Sequence, residues 1–123
     1  MLQRASERLG NSATLIQADV MDLPFVPGSF QTVGCFGVLH VLDDAWAALR
    51  SLREQLQPNG ELYASMLITN HGRLSKPYLA ALRRRGEVGP LRTITELTAA
   101  ANEIFDGARV ERTGAMAWLR ASI

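Results

Sequence analysis

The chain has 123 residues, 47% of them hydrophobic, which suits one ordinary domain with a real core. Its 13 basic and 12 acidic residues leave a net charge of +1, so no global field draws it to nucleic acid or an anionic membrane, and a partner must be recognised locally. No apolar stretch approaches the roughly 20 residues of a membrane-spanning helix, Met1 is not followed by a basic-then-apolar leader, and no Cys/His cluster has metal-ligand spacing. The single Cys35 cannot form an internal disulfide, a pattern that suits a cytoplasmic chain.

Leu2, Ala5 and Leu9 recur at helical spacing, and Gly10-Asn11 stops the short amphipathic helix they define. Residues 13–18 are compact and mostly apolar, predicting a strand that ends at Asp19. Two prolines and a glycine make residues 23–29 a fixed loop. Residues 30–39 form a nearly continuous apolar run, the pattern of a central parallel strand covered on both faces. Asp43 or Asp44 then caps a helix whose buried stripe is Ala45, Ala48, Leu49, Leu52 and Leu56, and Pro58 ends it.

Asn59-Gly60 makes a turn into a strand over residues 61–69. Residues 70–92 are the loosest part, a variable insert in which Ser75 and Pro77 open a short basic helix ending at Arg83, Arg84 and Arg85. Thr93 and Glu96 form a capping box before a helix buried along Leu97, Ala100, Ala101 and Ile104. Asp106-Gly107 stops that helix, and Gly114 divides the remainder into two strands that can only pair as an antiparallel hairpin. The order predicts an α/β fold: residues 1–123 as one domain, with a doubly wound, mostly parallel sheet closed by the hairpin.

In such sheets ligands sit beyond the carboxyl ends of the strands, which directs attention to Asp19-Val20, to residues 36–40 and to residues 69–71. The Asp19 carboxylate could accept from an exocyclic amine with the Val20 N–H beside it, or it could only cap a turn. Phe25 could shield a base or plug the core. Gly37 has no side chain to obstruct a cofactor, though many such glycines serve only the turn. His40 titrates near neutrality and could act as a base or pack at the start of a helix; Asn70 and His71 could line a substrate mouth or be solvated turn residues. Trp46 reads as helix-face packing, and the arginine cluster as a complement to a helix dipole.

Taken together, Asp19-Val20, Leu23-Pro24-Phe25, Gly28-Ser29-Phe30, Val38-Leu39-His40 and Leu56-Gln57-Pro58-Asn59-Gly60 resemble, in order and spacing, the C-terminal two-thirds of a class I S-adenosylmethionine-dependent methyltransferase. The resemblance is closest to the group that includes ubiquinone and menaquinone biosynthesis methyltransferases. It implies a partial Rossmann-like sheet, S-adenosylmethionine as cofactor and a small-molecule methyl acceptor. It further implies that Asp19 meets the adenine amine, that Val20 offers backbone to the ring, and that Phe36 and Gly37 lie near the methionine end. His40 and His71 become candidate substrate contacts.

Gln31 and Asn59 depart from the family's usual Asp and Gly, and Asn59 still tolerates left-handed backbone. The larger departure is that the family's Gly-rich loop and the acidic end of its second strand have no counterpart, and no Gly-x-Gly occurs. The resemblance therefore implies a fragment that binds the cofactor poorly and is inactive alone. The alternative is a non-catalytic assembly module or one half of a split enzyme. Loss of two strands leaves a bare sheet edge, which the first strand would cover by repacking or a second copy would cover in a homodimer.

Overall fold

The computed structural model describes residues 2–69, 81, 84, 85 and 92–123. Its elements in chain order are α1 (Leu2–Leu9), β1 (Phe30–Phe36), α2 (Ala45–Glu54), β2 (Leu56–Leu67), α3 (Ile94–Ile104), β3 (Gly107–Thr113) and β4 (Met116–Ser122), with short 3-10 turns at Gly10–Ser12 and Leu39–Val41. The strands form one sheet in the order β1-β2-β4-β3. β1 runs parallel to β2 with α2 as the crossover, and β4 is antiparallel to both β2 and β3. This is the α/β class the alternation implies, with the expected closing hairpin.

Local chemistry explains where the helices begin. The Asp44 carboxylate accepts from the Ala47 N–H at 2.9 Å and opens α2, leaving Ala45, Ala48, Leu49 and Leu52 on its buried stripe. Thr93 and Glu96 close a reciprocal capping box on α3, which buries Leu97, Ala100, Ala101 and Ile104. α2 stops at Glu54, earlier than Pro58 alone requires. The carbonyls of Glu54 and Gln55 accept from Gly28 and Phe30, so docking of the loop before β1 ends the helix. Leu56 is buried as expected but as the first residue of β2. Asn59 takes the left-handed conformation at φ 65° inside a bulge between the Phe30–Leu56 and Thr32–Glu61 pairs.

One face of the sheet carries the core. Cross-strand rows Val33–Leu62–Ala121–Ala108 and Cys35–Ala64–Leu119–Val110 pack with Leu39, Leu49, Leu97 and Ala101. The opposite face presents Gly34–Tyr63–Arg120–Arg109 and Phe36–Ser65–Trp118–Glu111. There Phe36 is 60% exposed and Trp118 46%.

Two expectations are corrected. β1 is the bare edge that the missing strands lead one to expect, with β2 its one partner strand among the described residues, but it is not covered on both faces as its apolar run suggests. Residues 13–18 belong to no strand and do not repack beside β1; the segment is exposed, and an isolated bridge between Asp19 and Asp22 follows it. Its apolar pattern lacks the neighbour strand a ladder needs. The expected helix from Ser75 and Pro77 to Arg83 lies outside the described residues, and Arg84 and Arg85 are exposed.

Truncating fully buried Leu62 in the central strand to Ala is expected to destabilise the chain by about 2–5 kcal/mol. Thr93→Ala removes one half of the capping box and is expected to cost about 1 kcal/mol. Urea unfolding followed by circular dichroism measures both.

Candidate functional site

The nominated residues fall into two groups, one on a turn against α2 and one at the carboxyl end of β1. In the first, Asp19 Oδ1 accepts from the Met21 N–H at 2.9 Å and the Asp19 carbonyl accepts from the Asp22 N–H at 2.9 Å, a compact Asx-type turn. The turn is fixed from below, because the Ser51 hydroxyl on α2 donates to the Val20 carbonyl at 2.6 Å while Val20 and Leu23 pack on the core. Asp19 itself is exposed, and its second carboxylate oxygen and the Val20 N–H have no hydrogen-bond partner among the described residues. Asp19 thus caps the turn with one oxygen and keeps the other for solvent or a ligand.

Phe25 does not enter the central core. It is half-buried, edge-to-face on Phe30 at 5.1 Å between centroids. The two rings, with Leu23, Thr32, Val33, Leu52 and Gln55, line an apolar hollow of about 290 Å³ that includes β1. The Gln55 Oε1 is buried behind this lining without a hydrogen-bond partner among the described residues. A lone acceptor of this kind costs on the order of 1–3 kcal/mol while it stays dry and unpaired.

The second group follows β1. Phe36 lies on the open face with its ring over Gly34, where an added Cβ would stand 2.8 Å from the ring. Gly37 has φ 70°, so the turn itself favours glycine, and nothing lies within 4 Å of where its Cβ would be. Its N–H donates to the Ser65 carbonyl at 3.3 Å, the last backbone rung between the β1 side and β2. His40 is half-buried in the 3-10 turn, and its Nδ1 accepts from the Leu67 N–H at 3.1 Å. His71 and Asn70 lie outside the described residues.

Residues that sequence reasoning passed over hold this rim together. Arg92 is buried, donates to the Asp43 carbonyl at 2.6 Å and stacks over the Trp46 ring at 5.1 Å, while its own carbonyl accepts from the Thr69 N–H. The loop after β1 and the first turn of α2 therefore meet at the guanidinium of Arg92, which immediately precedes the N-cap of α3. On the open face the Tyr63 hydroxyl and Arg120 both donate to Glu61. The Tyr63 bond, then the Arg120 bond, pull the Glu61 carboxyl below its ordinary range, and the same bond pushes Tyr63 up. Burial pushes the Cys35 thiol up. Among the described residues no group of three His, Cys, Asp or Glu could hold a metal, and no helix is long and apolar enough to cross a membrane.

A mixed sheet of this order, with one helical crossover and a closing antiparallel hairpin, is a partial Rossmann-like arrangement. The family model described as "Methyltransferase domain" matches residues 1–64 of the 123, and the chain belongs to that family. Among solved structures, 98% of the chain superposes on 69% of an S-adenosylmethionine-dependent methyltransferase from Thermotoga maritima, possible histamine N-methyltransferase, at TM-score 0.76 and 15% identity. An O-methyltransferase family protein from Burkholderia thailandensis matches 96% of the chain with 38% of its own length at TM-score 0.78 and 16% identity. Phosphoethanolamine N-methyltransferase 2 of Haemonchus contortus, solved with phosphomonomethylethanolamine and S-adenosylhomocysteine, matches 76% of the chain with 22% of its own at TM-score 0.65 and 22% identity. The chain spans less than half the length of the latter two.

Burial holds the His40 imidazole below its ordinary value of 6.5, so folding favours the neutral ring. The stability this contributes is complete above pH 6.5 and is lost as pH falls through the lowered folded value. Melting temperature measured from pH 7.5 to 5 should fall more steeply for the unmodified chain than for His40→Asn, which cannot titrate.

Proposed function

We propose that this chain is the adenine-side and C-terminal portion of a cytoplasmic S-adenosylmethionine-dependent methyltransferase acting on a small-molecule acceptor, and that it is inactive until the remaining strands are supplied. The observation that carries the reading is the bare β1 edge within a methyltransferase fold. Two features support an added strand there: β1 has no second partner strand among the described residues, and an apolar hollow lies beside it. The structural neighbours are longer than this chain and have polypeptide to spare for such a strand. It comes from a preceding segment or, in a split enzyme, from another chain.

The residues present suit the adenine side of the cofactor. The free oxygen of Asp19 would accept from the exocyclic amine and the Val20 N–H would donate to a ring nitrogen, both on a turn fixed by Ser51. Gly37 would let the methionine end approach backbone, with Phe36 beside it. When bound, S-adenosylmethionine supplies the electrophilic methyl group; this chain's part is to orient and to exclude water, and alignment carries most of the rate. Buried Cys35 suits the reducing cytoplasm.

A second reading, a non-catalytic module that dimerises through β1, is favoured by one feature. The strand Phe-Gln-Thr-Val-Gly-Cys-Phe carries a Phe three residues to either side of Val33, so antiparallel two-fold pairing centred on Val33 would set Phe30 against the partner's Phe36.

Titration calorimetry of this chain with S-adenosylmethionine should show no micromolar binding; micromolar affinity would overturn the missing-half reading. Supplying a Gly-rich strand-turn-helix ahead of residue 1 should restore binding, and Asp19→Ala in that longer protein should weaken it by about tenfold, the loss of one charge-assisted hydrogen bond. A stable dimer by light scattering whose binding is not restored would favour the second reading.

A further inference from the structure

We infer that His40 is a positioning residue: its imidazole, as the Nε2–H tautomer, stands in for a strand carbonyl against β2 and so holds the turn after β1, leaving a hydrogen-bond donor as its one polar atom for a ligand. It therefore does not act as a base. The importance of that turn rests on the methyltransferase reading above; the assignment of the ring does not.

The argument follows the β1–β2 ladder. β1 and β2 pair through Phe36 and Ser65, and the Gly37 N–H reaching the Ser65 carbonyl is their last backbone rung. The next β2 donor on that side is the Leu67 N–H; the adjacent Ile68 N–H points to the other side, to the Ala115 carbonyl. By then the chain after β1 has left the ladder, turned by Gly37 at φ 70° into the 3-10 turn Leu39–Val41. Leu67 would lose its partner at a half-buried position, a loss comparable to a broken hydrogen bond. His40 Nδ1 fills the rung at 3.1 Å.

The donor's identity settles the ring. A backbone amide can only donate, so the nitrogen it faces must present a lone pair, and the proton of the neutral ring is then on Nε2. Rotating the ring by 180° would put a carbon against the amide. A base at Nε2 would need its lone pair there and the proton on Nδ1, facing another N–H. Nε2 has no partner among the described residues. A ligand group that meets it must therefore be an acceptor: a carbonyl, carboxylate or hydroxyl oxygen, or an unprotonated nitrogen.

Three variants of the same 123-residue chain test this. His40→Asn places an amide oxygen where Nδ1 stood and should keep the Leu67 amide protected from hydrogen exchange. His40→Gln places its amide near Nε2 and His40→Ala has none, so both should speed Leu67 exchange by roughly tenfold, the loss of one hydrogen bond. Nitrogen-15 spectra of the unmodified chain at pH 7.5 should show His40 protonated at Nε2 and bare at Nδ1, a readout that stands even if a variant fails to fold. An Nδ1–H tautomer, equal Leu67 exchange in all three variants, or protection kept by Gln and lost by Asn would each overturn the assignment. Neither readout involves the cofactor, so failure to bind S-adenosylmethionine leaves it standing.

Discussion

The packing of α2 and α3 on one face of the β1-β2-β4-β3 sheet is the contact on which the other features depend. It buries Leu39, Leu49, Leu62, Met66, Ile68 and Leu97 completely and supplies the main apolar driving force of the chain. Because α2 and α3 pack on that side, burial alternates along β4 and through residues 61–64 of β2, with Leu62, Ala64, Ala117, Leu119 and Ala121 inward and Tyr63, Trp118 and Arg120 outward, and Ser65 is the buried exception on the outer side. The core thus fixes strand register, since a slip by one residue would exchange the two faces. It also fixes the carboxyl rim, where each loop leaves a strand whose register is set.

The rim is built from side chains that satisfy backbone groups far away in sequence. Ser51 holds Val20, His40 holds Leu67 and Arg92 holds Asp43. Each replaces a bond that regular structure would have supplied, so the loops are tied down without being strands or helices. These bonds give Asp19, Gly37 and the 3-10 turn stable positions, the precondition for any recognition at this edge.

The open face and the bare edge have the opposite character. Phe36, Tyr63 and Trp118 together with Arg109 and Arg120 present the aromatic and guanidinium mixture that interface centres favour, and β1 offers unpaired backbone beside an apolar hollow. In an isolated domain such surfaces would invite association. In the longer protein proposed above, a complete doubly wound sheet would cover them on both sides.

The sequence by itself determined the order of the elements from residue 30 to 67 and from 93 to 122, the Thr93 cap and the neighbourhood of the α2 cap, the closing hairpin, the left-handed Asn59 and the family. Those features rest on local chemistry: Asp44 and Thr93 cap the helices that follow them, and Gly114 turns the hairpin about itself. Tertiary structure decided what depends on neighbours. The apolar run of β1 reads as a doubly covered strand because hydrophobicity records what a segment can bury, not what is there to bury it. Residues 13–18 read as a strand for the same reason and stay unpaired. The end of α2 depended on the docking of Gly28 and Phe30, and the roles of Ser51, His40 and Arg92 on backbone partners 27 to 49 residues away. Such pairings leave no local pattern, because they exist only once distant segments have been brought together.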